Sequence, residues 1–226
     1  EATEFLNNHI SENPNEITLV TLGPLTNIAT VIKQKPEIID DLKQLVIMGG
    51  LVFPEKLKVR FGLKTEFNIA NDGLAANIVF SQPIETTLVG LEVTTKVLFK
   101  DIHYLAIKNA NTQITKYLTK HIKPWLTFNK VIGKGFNPHD PIALAYLLKE
   151  SLFKSVNLGL RVNYKKRDFS KIDKKYRMRL SGMFSTKEGK ISIIPDSEIS
   201  EKKKVKVCTQ VDEKEFLKLL LKRLIK

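Results

Sequence analysis

A chain of 226 residues with 42% hydrophobic and 27% charged content has globular proportions and is long enough for one sizeable domain with its own core. No window approaches the roughly 18 uninterrupted apolar residues of a spanning helix, "EATEFLNNHISENPNEITLV" lacks the layout of a signal peptide, and the lone Cys208 excludes an internal disulfide, which together suit a cytoplasmic protein with no membrane partner. The net charge of +13 raises a nucleic-acid reading, but its lysines are spread through 164–179, 201–206 and 214–226 with few aromatics between them, as on a solvated basic surface.

Taken in chain order, "EITLVTL" (16–22) is short, β-branched and apolar, the pattern of a buried parallel strand. "GPLTNIATVIKQ" opens a helix on Gly-Pro, where the missing N–H of proline costs nothing, and "PEIIDDLK" predicts one more short helix. "QLVIMGG" (44–50) is a second buried strand, followed by a long loop that runs to "TEFNIAND" (65–72). Helix-like "DGLAANIVFSQ" (72–82) leads into a third strand, "IETTLVG" (84–90). This order predicts an α/β fold: an open, mostly parallel sheet with right-handed crossovers and flanking helices. The stretch 101–130 is expected to be helical and interrupted at Pro124, and an apolar helix follows in "PIALAYLL" (141–148). From about Ser155, "SVNLGLRVNY", "RMRLSGMFS", "KISIIP" and "KKVKVCTQV" alternate like exposed or edge strands. "DEKEFLKLLLKRLIK" closes the chain as an amphipathic helix capped by Asp212 and packed on the sheet. No repeat, linker or domain boundary is visible, so 1–226 reads as a single domain.

Open parallel sheets bind ligands at the carboxyl ends of their strands. The first strand ends in Leu22-Gly23-Pro24, a turn that can expose carbonyls, and the second in Gly49-Gly50 before Glu66 and Asn68. The apolar helix at 141 is preceded by Asn137-Pro138-His139-Asp140. This set is rich in oxygen and free of cysteine, which suits Ca²⁺ or Mg²⁺ rather than zinc. On an extended segment Glu66 and Asn68 would share a face and could together bind a polyhydroxyl ligand. The plainer alternatives are that Asp140 caps the helix and His139 is a satisfied surface histidine.

"ITLVTLGPLTNIA" (17–29), "LVIMGG" (45–50), "EFNIANDGLAANIVF" (66–80), "TTLVGLEVT" (86–94) and "HDPIALAY" (139–146) occur in one order. Together with "SGMFS" and "VKVCTQVDEKEFLKLL" they resemble the inosine–uridine preferring nucleoside hydrolase family. The resemblance implies hydrolysis of the N-glycosidic bond of a purine or pyrimidine ribonucleoside to free base and ribose, as in nucleoside salvage. It implies a Ca²⁺ ion that holds the ribose diol and a water, whose proton a carboxylate takes. It assigns Asp140 as a metal ligand facing the ribose, Leu22 as a ligand through its backbone carbonyl, Glu66 and Asn68 as binders of ribose hydroxyls, and His139 as the residue beside the leaving base. Trp125 and Phe128 fall where the base pocket is often lined, and serve equally well as core residues. Members of the family are usually dimers or tetramers.

Three departures from the family pattern stand out. Nothing here resembles the opening strand and the loop D-x-D-P-G-x-D-D that supply most calcium ligands and the general base. The expectation is therefore a chain incomplete at its N-terminus, a fragment or a truncated copy, with no hydrolase activity alone. The loop "LVFPEKLKVRFGLKT" (51–65) carries no asparagine for the ribose 5′-hydroxyl, and Gly73 stands where a proline often follows the aspartate. The competing functions are a non-catalytic ribose- or nucleoside-binding remnant and a basic nucleic-acid-binding protein.

Overall fold

The computed structural model describes residues 2–57, 65–132, 135–164 and 189–225. Contacts group the chain into two compact units, Glu1–Glu92 with Ser155–Cys208, and Val93–Lys154 with Thr209–Lys226.

The first unit holds the sheet. Its strands are β1 (Thr18–Thr21), β2 (Gln44–Met48), β3 (Thr86–Val89), β4 (Phe153–Val162), β5 (Ile191–Ile194) and β6 (Val205–Val211), in the spatial order β1-β2-β3-β6-β4-β5. Strands β1, β2, β3 and β6 are parallel, with Thr21 opposite Ile47 and Ile47 opposite Leu88. β4 and β5 form an antiparallel pair at the far edge, as the alternation of 191–194 predicts. The expected α/β sheet is present. β6 departs from expectation: it lies inside the sheet between β3 and β4, with Val207 and Cys208 fully buried, whereas its alternating lysines suggest an exposed or edge strand. The "RMRLSGMFS" strand lies outside the described residues.

Helices α1 (Ala2–Glu12), α2 (Thr26–Gln34), α3 (Ile38–Asp41), α4 (Phe67–Asn71) and α5 (Gly73–Phe80) complete the layer. Ile10, Val31, Ile38, Ala76 and Val79 bury against Leu45, Ile47, Leu88 and Val207 of the strands in one core. Each fully buried aliphatic side chain there contributes about 1.5–3 kcal/mol. Asp72 caps α5 by accepting from the Ala75 N–H at 3.0 Å and takes the Thr26 hydroxyl at 2.7 Å, tying α5 to α2. α1 carries no signal that sequence reading singled out.

The second unit is helical. α6 (Leu91–Thr94) crosses from the first unit, followed by α7 (Asp101–Ala110), α8 (Gln113–Ile132), α9 (His139–Leu148) and α10 (Glu213–Ile225). The chain between α7 and α8 turns at Asn111, which adopts a left-handed φ of 53°, and α8 runs unbroken through Pro124. The expected interruption at Pro124 is therefore misplaced: asparagine tolerates the left-handed turn, and packing carries the helix past the proline. Asp212 caps α10 through the Glu215 N–H at 3.0 Å, as expected. α10 packs on α7, α8 and α9 within this unit, with Phe216 and Leu217 buried. Among the described residues no helix is long and apolar enough to cross a membrane.

Candidate active site

In the first unit, β1 and β2 end level with one another. Leu22 follows Thr21, and Gly49-Gly50 follows Met48 at the same rim. Glu66 and Asn68 are both drawn to that rim, but not from an extended segment. The chain enters α4 at Phe67, with Glu66 as its N-cap. Glu66 Oε1 accepts from the Asn68 N–H at 2.8 Å, and Oε2 from the Ile69 N–H at 3.1 Å and the Gly50 N–H at 2.9 Å. The carboxylate thus closes the first turn of α4 and bonds it to the end of β2. Asn68 Nδ2 donates to the Met48 carbonyl at 3.0 Å. Only 4% of Glu66 and 9% of Asn68 are exposed, so each polar group sits where backbone hydrogen bonds fix it. Gly50 has a φ of +85°, which a residue with a side chain would adopt only under strain.

In the second unit, His139 and Asp140 form the first turn of α9 rather than standing ahead of it. Pro138 is the N-cap and offers no side-chain bond, so Asp140 is not the cap. The loop before α9 is fixed by Asn137, whose Nδ2 donates to the carbonyls of Thr95 at 3.1 Å and Val97 at 2.6 Å. His139 Nδ1 lies 2.7 Å from the hydroxyl of Thr94, itself fully buried, so one ring nitrogen is spent on orientation. Burial holds the His139 imidazole below its ordinary pKa and favours the neutral ring. Asp140 is exposed as a residue, yet desolvation of its carboxyl raises its pKa. Trp125 and Phe128 are 55% and 57% exposed and stack at 5.8 Å, which removes them from the core.

A calcium ion seeks about 6–8 oxygens. Among the described residues no three His, Cys, Asp or Glu side chains gather as a metal site. The described residues therefore do not by themselves fit the ion.

One group at the rim lacks a sequence signal. Glu92 in α6 is fully buried, its Oε1 accepting the N–H of Val52 and, at 2.6 Å, of Phe53. Its position inside "TTLVGLEVT" gives no hint of burial, because a glutamate is ordinarily exposed even beside apolar neighbours.

The family model described as inosine-uridine preferring nucleoside hydrolase matches residues 1–218. A probable uridine nucleosidase 1 of Oryza sativa is 31% identical over 155 residues, covering 67% of this chain and 47% of that protein. The non-specific ribonucleoside hydrolase RihC of Klebsiella pneumoniae is 37% identical over 137 residues, 61% of this chain and 43% of its own. The solved plant nucleoside hydrolase PpNRh1 superposes with a TM-score of 0.80 at 23% identity, covering 99% of this chain and 66% of that one, which establishes the shared fold. The chain spans about half the length of the curated relatives it matches. With its sheet, its rim and its match over residues 1–218, the chain belongs to the inosine-uridine preferring nucleoside hydrolase family.

Proposed function

We propose that the protein hydrolyses the N-glycosidic bond of purine and pyrimidine ribonucleosides. The observation that carries this reading is the pinning of Glu66 and Asn68 to the end of β2 by the Gly50 N–H and the Met48 carbonyl. A polar pair locked by backbone bonds is pre-organised for hydroxyl groups, and ribose hydroxyls are the partners we assign to it. His139, oriented by Thr94, is assigned to the departing base, which must leave with a proton or a hydrogen bond. Asp140 is assigned to the ribose and the metal, with the Leu22 carbonyl as a second ligand. Calcium is the proposed ion: when bound it would hold the ribose diol and lower the pKa of a water. Among the described residues no three His, Cys, Asp or Glu side chains gather to hold it, and we propose that the 226 residues assayed alone have no turnover. The complete protein is proposed to work in the cytoplasm as a dimer or tetramer.

The test is release of ribose from inosine and uridine by the complete protein with calcium present. Asp140→Ala is expected to lower turnover by at least about a thousandfold. His139→Ala is expected to slow nucleosides with poor leaving bases more than activated ones. Unchanged turnover in Asp140→Ala removes that residue from the reaction, and equal losses for both substrate types deny His139 its role.

A further inference from the structure

The turn after β2 is held by two buried carboxylates. Glu66 takes the Gly50 N–H. Two residues further on, Glu92 takes the N–H groups of Val52 and Phe53 on the single oxygen Oε1. Gly50 is held at its other backbone group too, its carbonyl accepting the Leu91 N–H at 3.0 Å. The second oxygen of Glu92, Oε2, is buried with no hydrogen-bond partner among the described residues. It occupies the space over Gly90: a side-chain carbon there would overlap Oε2 and would come within 3.0 Å of the Gly50 carbonyl and 3.4 Å of the Gly49 carbonyl. A buried carboxylate oxygen that no donor reaches is costly when charged, and protonation of that oxygen lowers the cost.

We propose that Glu92 is a positioning residue for nucleoside binding, clamping the turn after β2 at Val52 and Phe53 as Glu66 clamps it at Gly50, and so fixing where Glu66 and Asn68 present themselves. It does so as a neutral acid, Oε1 accepting the two amides and the proton resting on Oε2. Burial raises its pKa in agreement with this, against the lowering effect of the backbone N–H groups of Phe53, of Glu92 itself and of Val52, and of the Lys56 charge. This inference rests on the assignment of Glu66 and Asn68 to ribose.

The conservative variant separates the roles. Glu92→Gln keeps the acceptor, the shape and a donor in place of the Oε2 proton, whereas Glu92→Ala removes all three. In the complete protein Glu92→Gln is expected to stay within about threefold of wild type in KM and kcat. Glu92→Ala is expected to raise KM for uridine about tenfold or more with a smaller change in kcat, and to speed amide exchange at Val52 and Phe53. Should the alanine variant fail to fold, Glu92→Met, which fills the volume without an acceptor, takes its place. A glutamine variant as impaired as alanine overturns the neutral clamp, since charge would then be required. Faster exchange with an unchanged KM overturns the positioning role and leaves a purely structural residue. Absence of turnover in the wild type rejects the hydrolase reading and the positioning role with it, while amide exchange in the variants still decides whether the clamp exists.

Discussion

At the scale of single residues, the rim of the sheet shows how one carboxylate can serve three backbone groups at once. Glu66 stands beside Asn68 in the sequence, and their pairing at one rim is legible from that spacing and from the strand that precedes them. The geometry is not: two residues apart suggests a shared face of an extended segment, but the carboxylate is the natural cap of a helix beginning at Phe67. Replacing Glu66 with Ala should cost roughly 2–3 kcal/mol, from the lost cap and the stranded Gly50 N–H, and thermal or urea unfolding would measure it. A loss under about half a kcal/mol would show that the Gly50 bond is dispensable. Glu92 carries a second prediction. Its folded pKa is raised above the ordinary 4.5 by burial, so the folded state holds its proton longer than the unfolded chain. The stability linked to that proton is complete below 4.5 and is lost as pH rises through the folded pKa. Wild type should therefore weaken relative to Glu92→Gln as pH is raised above that value, and a pH-independent difference would contradict the buried neutral acid.

At the scale of elements, strands are read more surely than helix boundaries. Buried parallel strands announce themselves as short β-branched apolar runs, and β1, β2 and β3 fall inside the stretches expected. β6 misleads because Lys206 sits only half-buried between fully covered neighbours, imitating an edge strand. α8 misleads through Pro124. Its surface divides into three stripes: Thr115, Thr119 and Leu126 are buried, Lys116, Lys120 and Lys123 are exposed, and Ile114, Tyr117, Trp125 and Phe128 are exposed and apolar. The buried stripe holds the helix although proline removes one interior hydrogen bond. Pro124→Ala should accordingly stabilise the fold by about 1–3 kcal/mol, visible as a higher midpoint in thermal unfolding. A destabilised variant would show that the proline sets the course of α8 rather than interrupting it.

At the scale of the whole molecule, two kinds of information divide cleanly. The alternation of strand and helix, and the order of the blocks that resemble the family, make the parallel sheet and the family legible from residues 17–29, 45–50, 66–80, 86–94 and 139–146. What those blocks leave unread is which polar groups the backbone consumes, because that depends on three-dimensional partners such as Gly50 for Glu66 and Thr94 for His139. The +13 charge is likewise a property of the whole surface and does not identify a partner. The claim that joins all three scales is that the end of β2 is built to hold ribose hydroxyls. It is tested most directly by comparing kcat/KM of the complete protein for uridine and for 2′-deoxyuridine. A site organised around those hydroxyls should prefer uridine by at least about a hundredfold. Equal values for the two nucleosides would contradict the account.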